Sequence, residues 1–215
     1  MAVFVTGDHI NFPPVELANE DGLLAIGGNL SFENLMNAYQ KGIFPWNNST
    51  EPICWYCPDP RFVLFPSDMK VSHSMRTILA KSKFKFSIDT AFTDVIRNCR
   101  IAKRKGEAGT WITDEVEDAY TMLFNAGLAH SAEAWLGNKL VGGLYGVQMG
   151  KIFFGESMFA SENNASKFAF IHYVRAMQKK GIELIDCQVH TIHLESLGAG
   201  FISRRKFSGL LKKLI

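Results

Sequence analysis

Cysteine, long apolar runs and nucleotide-binding signatures are all scarce in this chain of 215 residues. The four thiols, Cys54, Cys57, Cys99 and Cys187, are too few and too scattered to frame a disulfide-stapled fold. No apolar run approaches the roughly 18 to 20 residues of a membrane span. The first eleven residues contain Asp8 and lack the basic-then-apolar order of a secretory signal. These absences predict a soluble cytoplasmic protein with reduced thiols and no membrane partner.

Chemical signatures are equally sparse. There is no phosphate-cradling loop, no dinucleotide fingerprint and no serine or cysteine on a nucleophile elbow. Gly142-Gly143-Leu144-Tyr145-Gly146 is glycine-rich but falls inside a predicted strand, where close backbone packing is the ordinary reason for glycine. Cys54-Trp55-Tyr56-Cys57 has redox spacing, but Pro52, Pro58 and Pro60 surround it and the strand-to-helix context is missing. A zinc site pairing those thiols with His190 and His193 lacks a ligand-bearing knuckle. Neither a metal nor a cofactor is expected.

Net charge is only +2, yet it is unevenly spread. Residues 69–105 hold ten Lys or Arg, among them Arg76, Lys81, Lys83 and Lys85, against two acids. Residues 203–213 hold five and no acid. Such segments are either solvated helix faces or the footprint of a phosphate backbone.

The periodicity predicts a mixed α/β chain. Residues 1–62 carry six of the seven prolines and read as a small, β-rich N-terminal domain around one helix, with Ser31 as N-cap, Leu35, Ala38 and Tyr39 on one face and Gly42 as stop. Residues 63–215 read as a second domain. Helices are expected near 72–82, 91–104 and 114–126, the last capped by Thr113. Strands follow at about 130–136, 139–147 and 151–159, turned by Gly137-Asn138 and Met149-Gly150. A helix at 164–180, a strand at 182–189, a short helix, a short strand and a basic terminal helix complete the order.

Three sets of residues carry possible chemistry. Asp186 and Gln188 lie two apart in an apolar strand, so alternation puts them on one face, where they can orient an amine. A hydrogen-bonded structural acid is the competing reading. Glu156 sits near an apolar strand end, where a carboxylate is costly unless paired or hydrated. A cationic substrate or an internal salt bridge would meet that cost. Tyr39, Trp46, Trp55, Tyr56 and Trp111 are either core or stacking surfaces. Trp46 follows Pro45 and Trp111 precedes the cap Thr113, at borders where a base can stack.

At these positions the sequence resembles the leucyl/phenylalanyl-tRNA-protein transferase family. The shared blocks run in order along nearly the whole chain. They include Gly22–Gly28, Ala38–Trp46, Trp55–Arg61, Gly109–Thr113 and Ala129–Trp135. Leu140–Val147, Phe154–Phe159, Asn164–Lys167, Leu184–Gln188 and His193–Ala199 follow. Asn29 stands where the family usually has Asp, Tyr56 replaces the second Trp of a pair, and Asn47 to Thr50 diverges.

The resemblance implies an acetyltransferase-like domain over residues 63–215, with a mostly antiparallel sheet flanked by helices. It implies transfer of Leu or Phe, less often Met, from aminoacyl-tRNA to an acceptor protein with N-terminal Lys or Arg, creating an N-degron; a monomer is expected. By that resemblance Asp186 orients Gln188, the pair holds or deprotonates the attacking amine, and Glu156 places the cationic acceptor. Tyr39, Trp46 and Trp111 hold the aminoacyl-adenosine end, while Phe153, Met158, Phe170 and Tyr173 line the apolar pocket. The basic segments then meet the acceptor stem. The alternatives are an acetyl-CoA-dependent N-acetyltransferase and a non-catalytic RNA-binding protein. For the first, the stretch Ala160–Lys167 lacks the glycines of a pyrophosphate-binding turn.

Overall fold

Ser31 begins the first helix as its sequence predicts: its side chain accepts a hydrogen bond from the backbone N–H of Asn34, one of the donors a helix start leaves open. The computed structural model describes residues 4–46, 52–81, 83–102 and 111–215; the divergent stretch 47–50 and the cations Lys103, Arg104 and Lys105 lie outside the described residues. Strands β1 (Phe4–Thr6) and β2 (Leu23–Gly27) precede helix α1 (Phe32–Gln40), and β3 (Phe44–Pro45) and β4 (Cys54–Tyr56) follow it. They form a four-stranded sheet in the order β1-β2-β4-β3. Leu35, Ala38 and Tyr39 are buried on one face of α1, as expected. Asn29 accepts through Oδ1 from the N–H of Ser31 and from Asn34 Nδ2, so this departure from the family pattern lies within the turn that starts α1.

The remaining elements run β5 (Arg61–Leu64), α2 (His73–Ala80), β6 (Lys85–Ile88), α3 (Phe92–Ile101), α4 (Asp114–Asn125), β7 (Ala129–Leu136), β8 (Lys139–Met149), β9 (Ile152–Ala160), α5 (Ala165–Lys179), β10 (Leu184–Gln188), α6 (Ile192–Glu195), β11 (Gly200–Ile202) and α7 (Arg204–Leu214). The hairpins turn at Gly137 and Gly150, both at positive φ. Strands β5 and β6 are additions to the sequence reading. Every residue of β5 is buried, so it shows no alternation, and β6 is a four-residue edge.

The second sheet has seven strands in the order β11-β5-β10-β9-β8-β7-β6. Only β9 and β10 pair in parallel; the other pairings are antiparallel. Helix α5 buries Phe168, Ile171 and Val174 on one face, while α3 and α4 pack Val95, Ile96 and Leu123 against the other. Close approach explains Gly142: a methyl group there would lie 2.6 Å from Cβ of Ala165, so α5 rests directly on β8. Helix α7 buries Phe207, Leu211 and Leu214 and packs beside the turn after α1, where a methyl on Gly42 would lie 2.6 Å from the Phe207 ring.

Two irregularities position the site. The β9–β10 pairing ends at Asp186 opposite Phe154, although β9 continues to Ala160. Along β8–β9, Tyr145 faces Ser157 and Gly146 faces Gly155, so Glu156 is the extra residue of a β-bulge. Bulges re-aim side chains, and this one lies where the two strands part.

Candidate active site where β9 and β10 part

Asp186 is fully buried and clamped by Arg61, whose Nε donates to Oδ1 at 2.8 Å and whose Nη2 donates to Oδ2 at 2.6 Å. Two parallel bonds from a planar guanidinium give this pair its fixed orientation. Arg61 is itself 1% exposed, between the rings of Phe44 at 4.7 Å and Phe207 at 4.6 Å. Burial alone would lower its pKa, but the field and hydrogen bonds of Asp186 raise it, so the guanidinium stays charged. The internal ion pair considered as a resolution for Glu156 is thus found at Asp186.

The link between Asp186 and Gln188 differs from the one alternation suggests. The register shifts between these residues, and Gln188 adopts φ +63°, which side chains other than glycine rarely occupy. Asp186 Oδ1 accepts the backbone N–H of Gln188 at 3.0 Å. The acid therefore sets the backbone of Gln188, and the two side chains do not simply share a strand face.

Glu156 takes neutral donors; among the described residues no cation forms an ion pair with it. Tyr39 donates to Oε1 at 2.8 Å, Tyr120 to Oε2 at 2.9 Å and Gln188 Nε2 to Oε1 at 3.0 Å. The two hydroxyls also meet each other at 2.6 Å. Desolvation raises the carboxyl pKa to about 7, against the opposing effect of both tyrosine hydrogen bonds. Burial and the nearby carboxylate in turn push both phenols well above their ordinary value. Glu156 thus changes charge near neutrality.

A cavity of about 460 Å³ opens at this point. Phe153, Met158, Phe170 and Ile185 contribute an apolar wall, Trp46 and Trp111 an aromatic one, and Glu156, Asp186 and Gln188 are among the polar groups. An apolar chamber with a few convergent polar groups has the chemistry of a small-ligand site. His193 also contributes to the wall, with its Nε2 buried and burial lowering its pKa, which favours a neutral ring.

Residues 63–212 match the leucyl/phenylalanyl-tRNA protein transferase family, and residues 28–59 match that family's N-terminal domain. The chain belongs to this family. A leucyl/phenylalanyl-tRNA–protein transferase of Syntrophobacter fumaroxidans is 50% identical over all of this chain and 92% of its own length. One from Syntrophus aciditrophicus is 51% identical over 99% of this chain and 89% of its own length. Among solved structures, a GCN5-related N-acetyltransferase from Kribbella flavida aligns over 75% of this chain and 57% of its own, with 8% identity and a TM-score of 0.41.

The residues that the family resemblance singled out fall into three groups. Asp186, Gln188, Glu156, Trp46, Trp111, Phe153, Met158 and Phe170 all line the one cavity. Tyr39 and Tyr173 stand behind it: Tyr39 is fully buried beneath Glu156, and the ring of Tyr173 backs Phe153 at 4.7 Å. Arg76, Lys81, Lys83 and Lys85 lie on the surface at α2 and β6. Lys83 faces Glu162 at 3.3 Å, whereas no ion pair among the described residues involves Arg76, Lys81 or Lys85. Two further cations of that basic segment are engaged internally: Arg97 bonds Glu117 at 2.7 Å, and Arg100 bonds Asp114. Tyr56, the departure at the Trp pair, supports Trp46 edge-on at 6.0 Å.

Arg61, Tyr120 and Phe44 were not apparent from the sequence as parts of the site. Tyr120 reads as one more buried residue on the α4 face, beside Val116 and Leu123. A lone arginine opening an apolar strand was the available signal for Arg61.

Proposed function

We propose that this chain transfers leucine or phenylalanine, less often methionine, from aminoacyl-tRNA to the α-amine of an acceptor protein beginning with Lys or Arg. A peptide bond forms and the acceptor gains an N-degron. The observation that carries this reading is the convergence of Gln188 and Glu156 at the head of an apolar cavity, in a chain of this transferase family.

The donor ester is already activated, and an amine with an unperturbed pKa of roughly 7.7 to 8.0 is partly neutral at cellular pH. Positioning can therefore supply much of the rate. Asp186, occupied by Arg61 and by a backbone N–H, acts by holding Gln188 rather than by taking a proton. Gln188 spends its Nε2 on Glu156, which leaves its carbonyl Oε1 as an acceptor for the attacking amine. The Glu156 carboxylate attracts the cationic acceptor. Trp46 and Trp111 stack the terminal adenosine, and Phe153, Met158 and Phe170 receive the Leu or Phe side chain. Met adapts to either shape. Tyr39 acts through Glu156, and Tyr173 through Phe153. Arg76, Lys81, Lys83 and Lys85 meet tRNA phosphates.

The direct test uses tRNA charged with labelled leucine and two matched peptides, one beginning with Arg and one with Gly. Label on the Arg peptide alone is expected. No transfer to either peptide would reject the reading.

A further inference from the structure

Exposed apolar side chains gather along one lip of the cavity. Val189, the residue after Gln188, is 36% exposed, Ile192 80% and Phe201 57%. Val189, His190 and Thr191 also line the cavity itself. The ring of His190 ties the lip together. It stacks on Phe201 at 5.7 Å, and both rings rest on the buried Phe62, at 5.1 and 4.9 Å. Phe201 belongs to β11, the edge strand of the larger sheet. Single exposed apolar residues are ordinary, whereas a group of them beside a binding cavity marks an interaction surface.

Position, reach and charge select the occupant. In the transferase reading the donor takes Phe153, Met158 and Phe170 with its side chain, and Trp46 and Trp111 with its adenosine. The wall from Val189 to Thr191 is left, and it starts beside Gln188, where the acceptor amine is held. His190 is two residues from Gln188, at most about 7 Å along the main chain, and the second and third residues of an extended acceptor cover the same span. None of Val189, Ile192 and Phe201 carries charge, and the His190 ring faces the Glu195 carboxylate at 2.9 Å. A nucleic-acid phosphate on this lip would meet that carboxylate, whereas the apolar side chains of a polypeptide would bury the exposed rings.

We propose that this lip is a shelf for the acceptor polypeptide, taking apolar side chains at its second and third residues. The inference rests on the transferase reading and adds a preference to it. The N-terminal Lys or Arg is selected by charge at Glu156. The next two residues are selected by burial against Ile192, Phe201 and the face of His190. This burial acts on binding, so the KM of the acceptor carries it and kcat does not.

The test uses acceptor peptides beginning Arg-Leu-Leu and Arg-Ser-Ser, otherwise identical, with the wild-type chain, Phe201→Ser, Phe201→Leu and Ile192→Ser. In the wild type the Leu peptide is expected to have a KM about ten-fold lower at equal kcat. Phe201→Ser and Ile192→Ser should each narrow that gap by raising the KM of the Leu peptide alone, and Phe201→Leu should keep it. Thermal midpoints accompany the kinetics. If Phe201→Ser lowers its midpoint, Ile192→Ser decides, because that side chain stands mostly in water. No gap in the wild type, or a gap that survives in Ile192→Ser, would overturn the proposal. So would a raised KM for tRNA in the Ser variants with the peptide gap intact, which would give the lip to tRNA. A wild-type dimer that these variants dissociate, again with the gap intact, would give it to a second copy and also overturn the proposal. Equilibrium binding of the two peptides, labelled at their C-termini, separates this result from the wider reading. If the wild-type chain transfers nothing, the function fails and the shelf is still decided. Tighter binding of the Leu peptide that Ile192→Ser abolishes supports it, and equal binding of both peptides rejects it.

Discussion

Asp186 holds the backbone N–H of Gln188 at 3.0 Å while its own carboxylate is clamped by Arg61. The residue resemblance marked as catalytic is therefore saturated with partners, and its effect on chemistry passes through the left-handed backbone of Gln188.

Replacing Asp186 with Asn breaks a buried ion pair and leaves Arg61 without its counter-charge. Unfolding in urea should show a loss of about 3 to 5 kcal/mol, the usual cost of orphaning one partner of such a pair. The double variant Arg61→Met, Asp186→Asn should recover part of that stability without recovering transfer. Recovery of transfer in the double variant would mean that the clamp does not position Gln188.

Glu156 makes stability depend on pH in a defined direction. Its carboxyl pKa is raised from 4.5 to about 7, so folding favours the protonated form. Stability is greatest below the unfolded value, falls as pH rises from about 4.5 to about 7, and is level above. At 1.36 kcal/mol per unit the fall is on the order of 3 kcal/mol. Glu156→Gln should remove this slope. Urea midpoints at several pH values read it, and a slope surviving in Glu156→Gln would assign it to another group.

Tyr120→Phe removes a hydrogen bond that lowers the Glu156 pKa. The acid limb of the transfer-rate profile should move to higher pH, with tRNA affinity retained. A limb that stays in place would show that Glu156 does not control it.

Lys81 and Lys85 should contribute more to tRNA binding than Lys83, which already faces Glu162. Each phosphate contact removed should flatten the plot of log affinity against log salt by roughly 0.7 to 0.9. Lys81→Ala and Lys85→Ala are expected to reach that change and Lys83→Ala to fall short. Equal slopes for all three variants and the wild type would return this face to ordinary surface.

The helices and hairpins were legible because local chemistry specifies them. Ser31, Thr113 and Ser203 each accept a backbone N–H at N-caps, and Gly137 and Gly150 supply the turns. Grouping Asp186, Gln188 and Glu156 came from matching residues to a family, and the cavity gathers all three. Their geometry was not legible. The bulges at Glu156 and before Gln188 are properties of strand pairing, so period-two alternation misled at the very residues that matter. Arg61 was hidden for a related reason: its role depends on Asp186, Phe44 and Phe207, which lie in three other parts of the chain.

That dispersal bears on the order of biosynthesis. The guanidinium of Arg61 is made early, Asp186 much later, and Phe207, which closes one side of the sandwich, follows every strand of the larger sheet. Chains fold from the N-terminus as they emerge. The clamp, and with it the conformation of Gln188, is then among the last features of the site to be completed, because it draws on residues made both before and after the strands it joins.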